Sequence, residues 1–170
     1  MTGGFWNKLD QAGRNLTPAA VTMMLMLAGM VPLHLPLYGS VAPMLSLMSV
    51  YYWAIHRPDL LRPSIAFLIG VFQDLLGGLP LGVTALLFVS AYWLLISQRR
   101  FFLGTSFMML WWGFTVVALG AGLVQWAAFC LLTLRLLPPA PALVQAALTL
   151  SLFPVFAWIF VRVHRAFLQV

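Results

Sequence analysis

Asp74 is the one acid set inside an apolar run of this sequence, in the stretch Phe67-Leu-Ile-Gly-Val-Phe-Gln-Asp-Leu-Leu-Gly77. A carboxylate near the centre of a bilayer costs about 2.5–3.5 kcal/mol on insertion scales, so it must have a use or a partner. Two roles fit. In one it belongs to a ligand or proton site. In the other it is structural, accepting bonds from loop amides around Gly77–Gly82 or pairing with a base such as Arg135. The structural role carries more weight, because a relay needs a second acid or histidine at compatible depth. Gln73, Gln125 and Gln145 add polar groups that suit contacts between helices. His34, His56 and His164 fall near the ends of apolar runs without metal-ligand spacing, and Cys130 is the single cysteine. One cysteine makes neither an intrachain disulfide nor a cysteine-based metal site. No nucleophile elbow, phosphate loop or paired carboxylates occur. No enzymatic activity, metal or cofactor is therefore expected.

The elements that must position these residues are apolar. Of the 170 residues, 63% are hydrophobic and 7% charged. A soluble domain carries about 25% charged residues, so the composition is that of an integral membrane protein. Breaks at charged or Pro/Gly clusters divide the chain into six runs: 17–37, 40–55, 63–77, 81–97, 104–134 and 141–162. Pro18, Pro43, Pro63 and Pro141 stand near run starts, where a missing backbone donor is harmless. Pro154 lies inside the last run and is expected to bend it. The first run begins near Pro18 and is followed by no small-x-small cleavage site, so it reads as a permanent span.

Charge sets the orientation. Lys8, Arg14, Arg57, Arg62, Arg99, Arg100, Arg162 and Arg165 fall on one side of the six runs, and only Arg135 falls on the other. The positive-inside rule then places both termini in the cytoplasm. The expected fold is an all-α bundle of six transmembrane helices, residues 17–165, with short tails at 1–16 and 166–170. The net charge of +6 is scattered in ones and twos, which suits anionic lipid and lacks the stripe that nucleic acid requires. Phe5, Trp6, Leu9 and Leu16 alternate with Lys8, Asp10 and Arg14, a pattern that fits an interfacial helix or an unstructured tail. Met23, Met24, Met26 and Met30 crowd the first run, where lipid exposure accounts for them better than a partner-binding face.

Two runs are irregular. The fifth, of about 30 residues, must tilt, project or break near Gly120 and Gly122. The third covers only about 22 Å of a hydrocarbon layer roughly 30 Å thick. Within it Ala66, Gly70 and Asp74 recur at i, i+4 and i+8, so they share one face. Small residues there let another helix approach closely, and Asp74 is expected to face protein or a cavity. The Gly77-Gly78-Leu79-Pro80 segment that follows is expected to dip to membrane depth.

This stretch resembles the bacterial rod shape-determining MreD family. Gly70, Asp74, Gly78, Pro80 and Gly82 stand where that family has its Gly-x-x-x-Asp-Leu-Leu-x-Gly-x-Pro-Leu-Gly pattern, with Gln73 and Gly77 inside it. The wider likeness runs from Tyr51 to about Arg100. The resemblance implies a non-enzymatic inner-membrane component of the elongation machinery, or Rod complex. Such a component binds MreC and works beside MreB, RodA and its penicillin-binding transpeptidase in lateral peptidoglycan synthesis. It also implies a fold similar to the S components of energy-coupling-factor transporters, with Asp74 and its loop near the outer face. That likeness supplies an alternative, a substrate-binding S component of a vitamin or metal uptake system. Two features favour the cell-shape reading. The outward loops are poor in the convergent polar groups a vitamin pocket needs. The first run also lacks small-x-x-x-small spacing, since Ala20 is followed at i+4 by Met24.

Overall fold

Leu45–His56 (α2) reads LSLMSVYYWAIH, apolar and aromatic around its whole circumference. A helix with no polar stripe suits either a core or a membrane span, and here every residue from Leu45 to Ile55 is buried. The computed structural model describes residues 17–30, 33–35, 39–78, 80–102, 104 and 106–168. In it five further helices surround α2: Thr17–Gly29 (α1), Pro63–Gly77 (α3), Val83–Phe102 (α4), Phe107–Thr133 (α5) and Ala140–Leu168 (α6). Among them α5 and α6 are long and apolar enough to cross a membrane, and α1 and α3 are shorter apolar helices.

The polar atoms of α2 tie it to its neighbours. Ser49 Oγ lies 2.7 Å from Thr22 Oγ1 on α1, and the Thr22 hydroxyl donates to the Pro18 carbonyl. Ser46 donates to Gln73 Oε1 on α3 at 2.6 Å. The Tyr51 hydroxyl donates to the Leu110 carbonyl on α5 at 2.9 Å. At the far end, Arg99 Nε on α4 donates to the Ile55 carbonyl at 2.8 Å, placing a cation on the negative end of the α2 dipole. Aromatic rings fill the space between α2, α5 and α6. Phe114 stacks on Phe153 with centroids 4.1 Å apart, and both meet the edge of Tyr51.

The hydropathy reading carries the first helix to Leu37 and starts the second at Ser40. The chain departs from it at both places. α1 stops at Gly29, and Leu33–Leu35 (β1) pairs antiparallel with Gly39–Val41 (β2), His34 opposite Ser40. Pro32, Pro36 and Pro43 remove backbone donors that a helix through this segment would need. Gln145 Nε2 and Thr149 Oγ1 on α6 serve the connecting backbone instead, bonding the Ala42 carbonyl at 2.8 Å and the Met44 amide at 3.1 Å. α5 runs unbroken through Gly120 and Gly122, and α6 continues through Pro154 and past Arg162 to Leu168. The proposed interfacial helix at residues 1–16 lies outside the described residues.

Candidate functional site

The site is built where α3 ends and α4 begins. α3 starts with Pro63 at its first turn and stops at Gly78, whose left-handed backbone (φ 64°, ψ 23°) turns its amide back to the Asp74 carbonyl. This is the conformation in which a residue without Cβ closes a helix. Pro80 accepts the Val83 amide, and Gly82, at φ 99°, sets the chain into α4.

α3 and α4 lie close because Gly70 has no side chain. A Cβ there would come within 2.5 Å of Ala85 Cα and 3.0 Å of the Thr84 carbonyl carbon, which are backbone atoms that cannot swing aside. Ala66, Gly70 and Asp74 are all buried, as their shared face requires.

That approach puts the Asp74 carboxylate over the first turn of α4. Oδ2 accepts the Gly82 amide at 2.9 Å, and both oxygens accept the Thr84 amide at 3.2 Å. The first amides of a helix have no intrahelical partner, and the helix dipole is positive there. Asp74 therefore caps α4 from another helix, and the dipole and amides replace the water that its fully buried charge gives up. No base pairs with it among the described residues, and Arg135 is exposed at the end of α5.

The sequence-selected residues divide by role. Gly70, Asp74 and Gly82 form the contact; Gly78 and Pro80 shape the turn. Gln73 faces α2 through Ser46, and Gly77 is exposed at the last turn of α3. Thr84 is a further member that sequence reasoning missed. It joins through its backbone amide, which any residue but proline would supply there, so its side-chain type carried no signal.

With both oxygens held by amides, the carboxylate is an acceptor already in use. His56 lies at the opposite end of α2, with Nδ1 3.0 Å from the Tyr52 carbonyl. Among the described residues no group of three or more His, Cys, Asp or Glu is placed to hold a metal ion.

The family model described as rod shape-determining protein MreD matches residues 11–164. The chain belongs to the MreD family. No curated protein and no solved structure matches it. MreD is a membrane protein family of rod-shape determinants, and the two long apolar helices α5 and α6 are compatible with insertion. The Asp74 contact lies within the matched residues.

Proposed function

We propose that this chain is a non-enzymatic, multi-pass component of the bacterial inner membrane. In that reading it binds MreC within the Rod complex and supports lateral peptidoglycan synthesis and rod shape. The observation that carries the reading is the family match over residues 11–164. MreB, RodA and its penicillin-binding transpeptidase are the further complex members. The proposed topology has six crossings with both termini in the cytoplasm. Arg57, Arg62, Arg99 and Arg100 support it, since they gather at the end of the bundle where α2 and α4 finish. The Asp74 contact would then face the outer half of the membrane, as in an S-component-like arrangement.

Apolar surface is what such a chain offers a partner. Much of α5 is exposed, with Val116, Leu123 and Leu131 each more than 60% accessible. A transmembrane helix of MreC would pack on helix faces of this kind, since association in lipid rests on close packing and interhelical hydrogen bonds. Affinity purification from native membranes tests the proposal. Recovery of MreC is the expected result. Recovery of an ATPase-coupled transport module would replace it with the S-component alternative. Reporter fusions at both termini and after Arg135 test the topology, and a cytoplasmic signal after Arg135 would overturn it.

A further inference from the structure

The exposed face of α6 changes character once along its length. Leu143, Ala147, Ser151, Val155 and Trp158 follow one another at helical spacing and are all exposed, so they line one face. Arg162 and Arg165 continue that face and are exposed as well. No charged residue precedes them in α6. From Ala140 to Arg162 the helix rises about 33 Å, close to the roughly 30 Å of a hydrocarbon layer. With α6 crossing as proposed above, Arg162 stands at the level of the lipid phosphates, and Arg165 lies about 4.5 Å beyond it.

Neither arginine has a carboxylate partner among the described residues. The guanidinium of Arg162 lies over the Trp158 ring, 4.7 Å from its centroid, which holds the side chain along the outer face of the helix. α6 continues past it to Leu168, so the carbonyls beside Arg162 are paired within the helix and need no cap. The charge of this end is also unbalanced as a whole. Arg57, Arg62, Arg99, Arg100, Arg162 and Arg165 gather here, whereas the only acids among the described residues are Asp59 and Asp74. Asp74 is buried at the opposite end, and Asp59 lies in the link between α2 and α3, where its charge reaches Tyr92.

Two cations at phosphate depth, next to an apolar face turned to lipid, select an anion that brings its own apolar tail. We propose that Arg162 and Arg165 bind the phosphate of an anionic phospholipid, with its glycerol and upper chains along Trp158 and Val155. Guanidinium groups donate in a planar fork that matches phosphate oxygens, and an indole ring suits the boundary between headgroups and chains. A zwitterionic lipid carries its own cation to the same place, which offsets the attraction. The inference rests on the proposed crossing of α6, which the terminal reporters test by themselves. It needs no protein partner, so failure to recover MreC would leave it standing.

Native mass spectrometry of the full chain, released from detergent micelles after lipid is added, tests the site. Phosphatidylglycerol is expected to stay bound in preference to phosphatidylcholine with the same chains, and soluble glycerol 3-phosphate to leave no adduct. Arg162→Gln with Arg165→Gln should weaken phosphatidylglycerol binding about thirtyfold, from about a factor of five for each arginine near an anionic surface. Arg62→Gln with Arg100→Gln removes the same charge from two exposed positions at the same end, and should leave binding close to that of the parent. Equal losses in the two double variants would mean that total charge alone attracts the lipid, and would overturn the proposal. An adduct with glycerol 3-phosphate as strong as that with the lipid would overturn it in favour of a free-phosphate site. The parent chain decides the matter without any variant, since equal retention of the two lipids would overturn it as well.

Discussion

Removing the Asp74 carboxylate should loosen α3 from α4 in two graded steps. Asp74→Ala deletes the side-chain acceptor of the Gly82 and Thr84 amides. Each amide left unpaired costs about 1–3 kcal/mol, so the loss of two should be about 2–6 kcal/mol. Asp74→Asn should cost less, for a geometric reason. Oδ2 alone reaches both amides, Gly82 at 2.9 Å and Thr84 at 3.2 Å. An asparagine with its oxygen in that place keeps the two Oδ2 bonds. It loses the Oδ1 bond to the Thr84 amide, sets an NH2 group against that amide, and loses charge assistance and the interaction with the α4 dipole. That difference is about 1–2 kcal/mol. The assay is equilibrium unfolding of the purified chain in mixed micelles on addition of SDS. The expected order of stability is parent, then Asn, then Ala. An Ala variant within about 0.5 kcal/mol of the parent, the range of ordinary surface substitutions, would refute the reasoning. So would an Asn variant as weak as the Ala variant. The same Asn variant, as the only copy in cells, separates the two roles of the carboxyl. Altered cell shape, or loss of MreC from the proposed complex, while the variant accumulates to parental levels supports a functional role beyond the fold, and normal rods reject one.

Gly70→Val should prevent α3 and α4 from closing, because its Cβ meets backbone at 2.5 Å. Gly120→Ala should be nearly silent, since a Cβ there meets nothing within 4 Å. Accumulation in membranes and melting temperature distinguish them, and equal behaviour would discard the packing argument. His56 supplies a pH test at the interfacial end of α2. Burial holds its pKa below the ordinary 6.5; the Tyr52 carbonyl partly offsets this and the charge of Arg99 adds to it. The unfolded chain then binds the proton more readily than the folded one. His56 contributes full stability above pH 6.5 and loses it as pH falls through the window below that value. Melting temperatures from pH 7.5 to 5 should decline less for His56→Phe than for the parent, and parallel curves would exclude the effect.

Much of the Asp74 site was legible in the sequence because helical periodicity needs no tertiary knowledge. Ala66, Gly70 and Asp74 at four-residue intervals can only share a face, and Gly70 had to mark a close approach. The loop glycines announced a turn, and the amide capture of Asp74 was one of the two structural options. The hairpin at 33–41 was hidden for the opposite reason. Leu33, Leu35 and Leu37 continue the hydropathy of α1, and a short apolar stretch does not distinguish strand from helix.

The support that α6 gives to the start of α2 has a consequence for synthesis. Met44 waits for Thr149 and Ala42 for Gln145, partners 105 and 103 residues later in the chain. The core helix is therefore made well before α6, and its entry is finished only once α6 has left the ribosome. Until then the Ala42 carbonyl and the Met44 amide at its entry must be sheltered by transient surroundings such as the insertion machinery. A nascent chain halted before residue 145 would carry an unfinished centre rather than a smaller finished protein. Long-range closure of this kind is slow, and it makes truncated products recognisable to quality control by their interior.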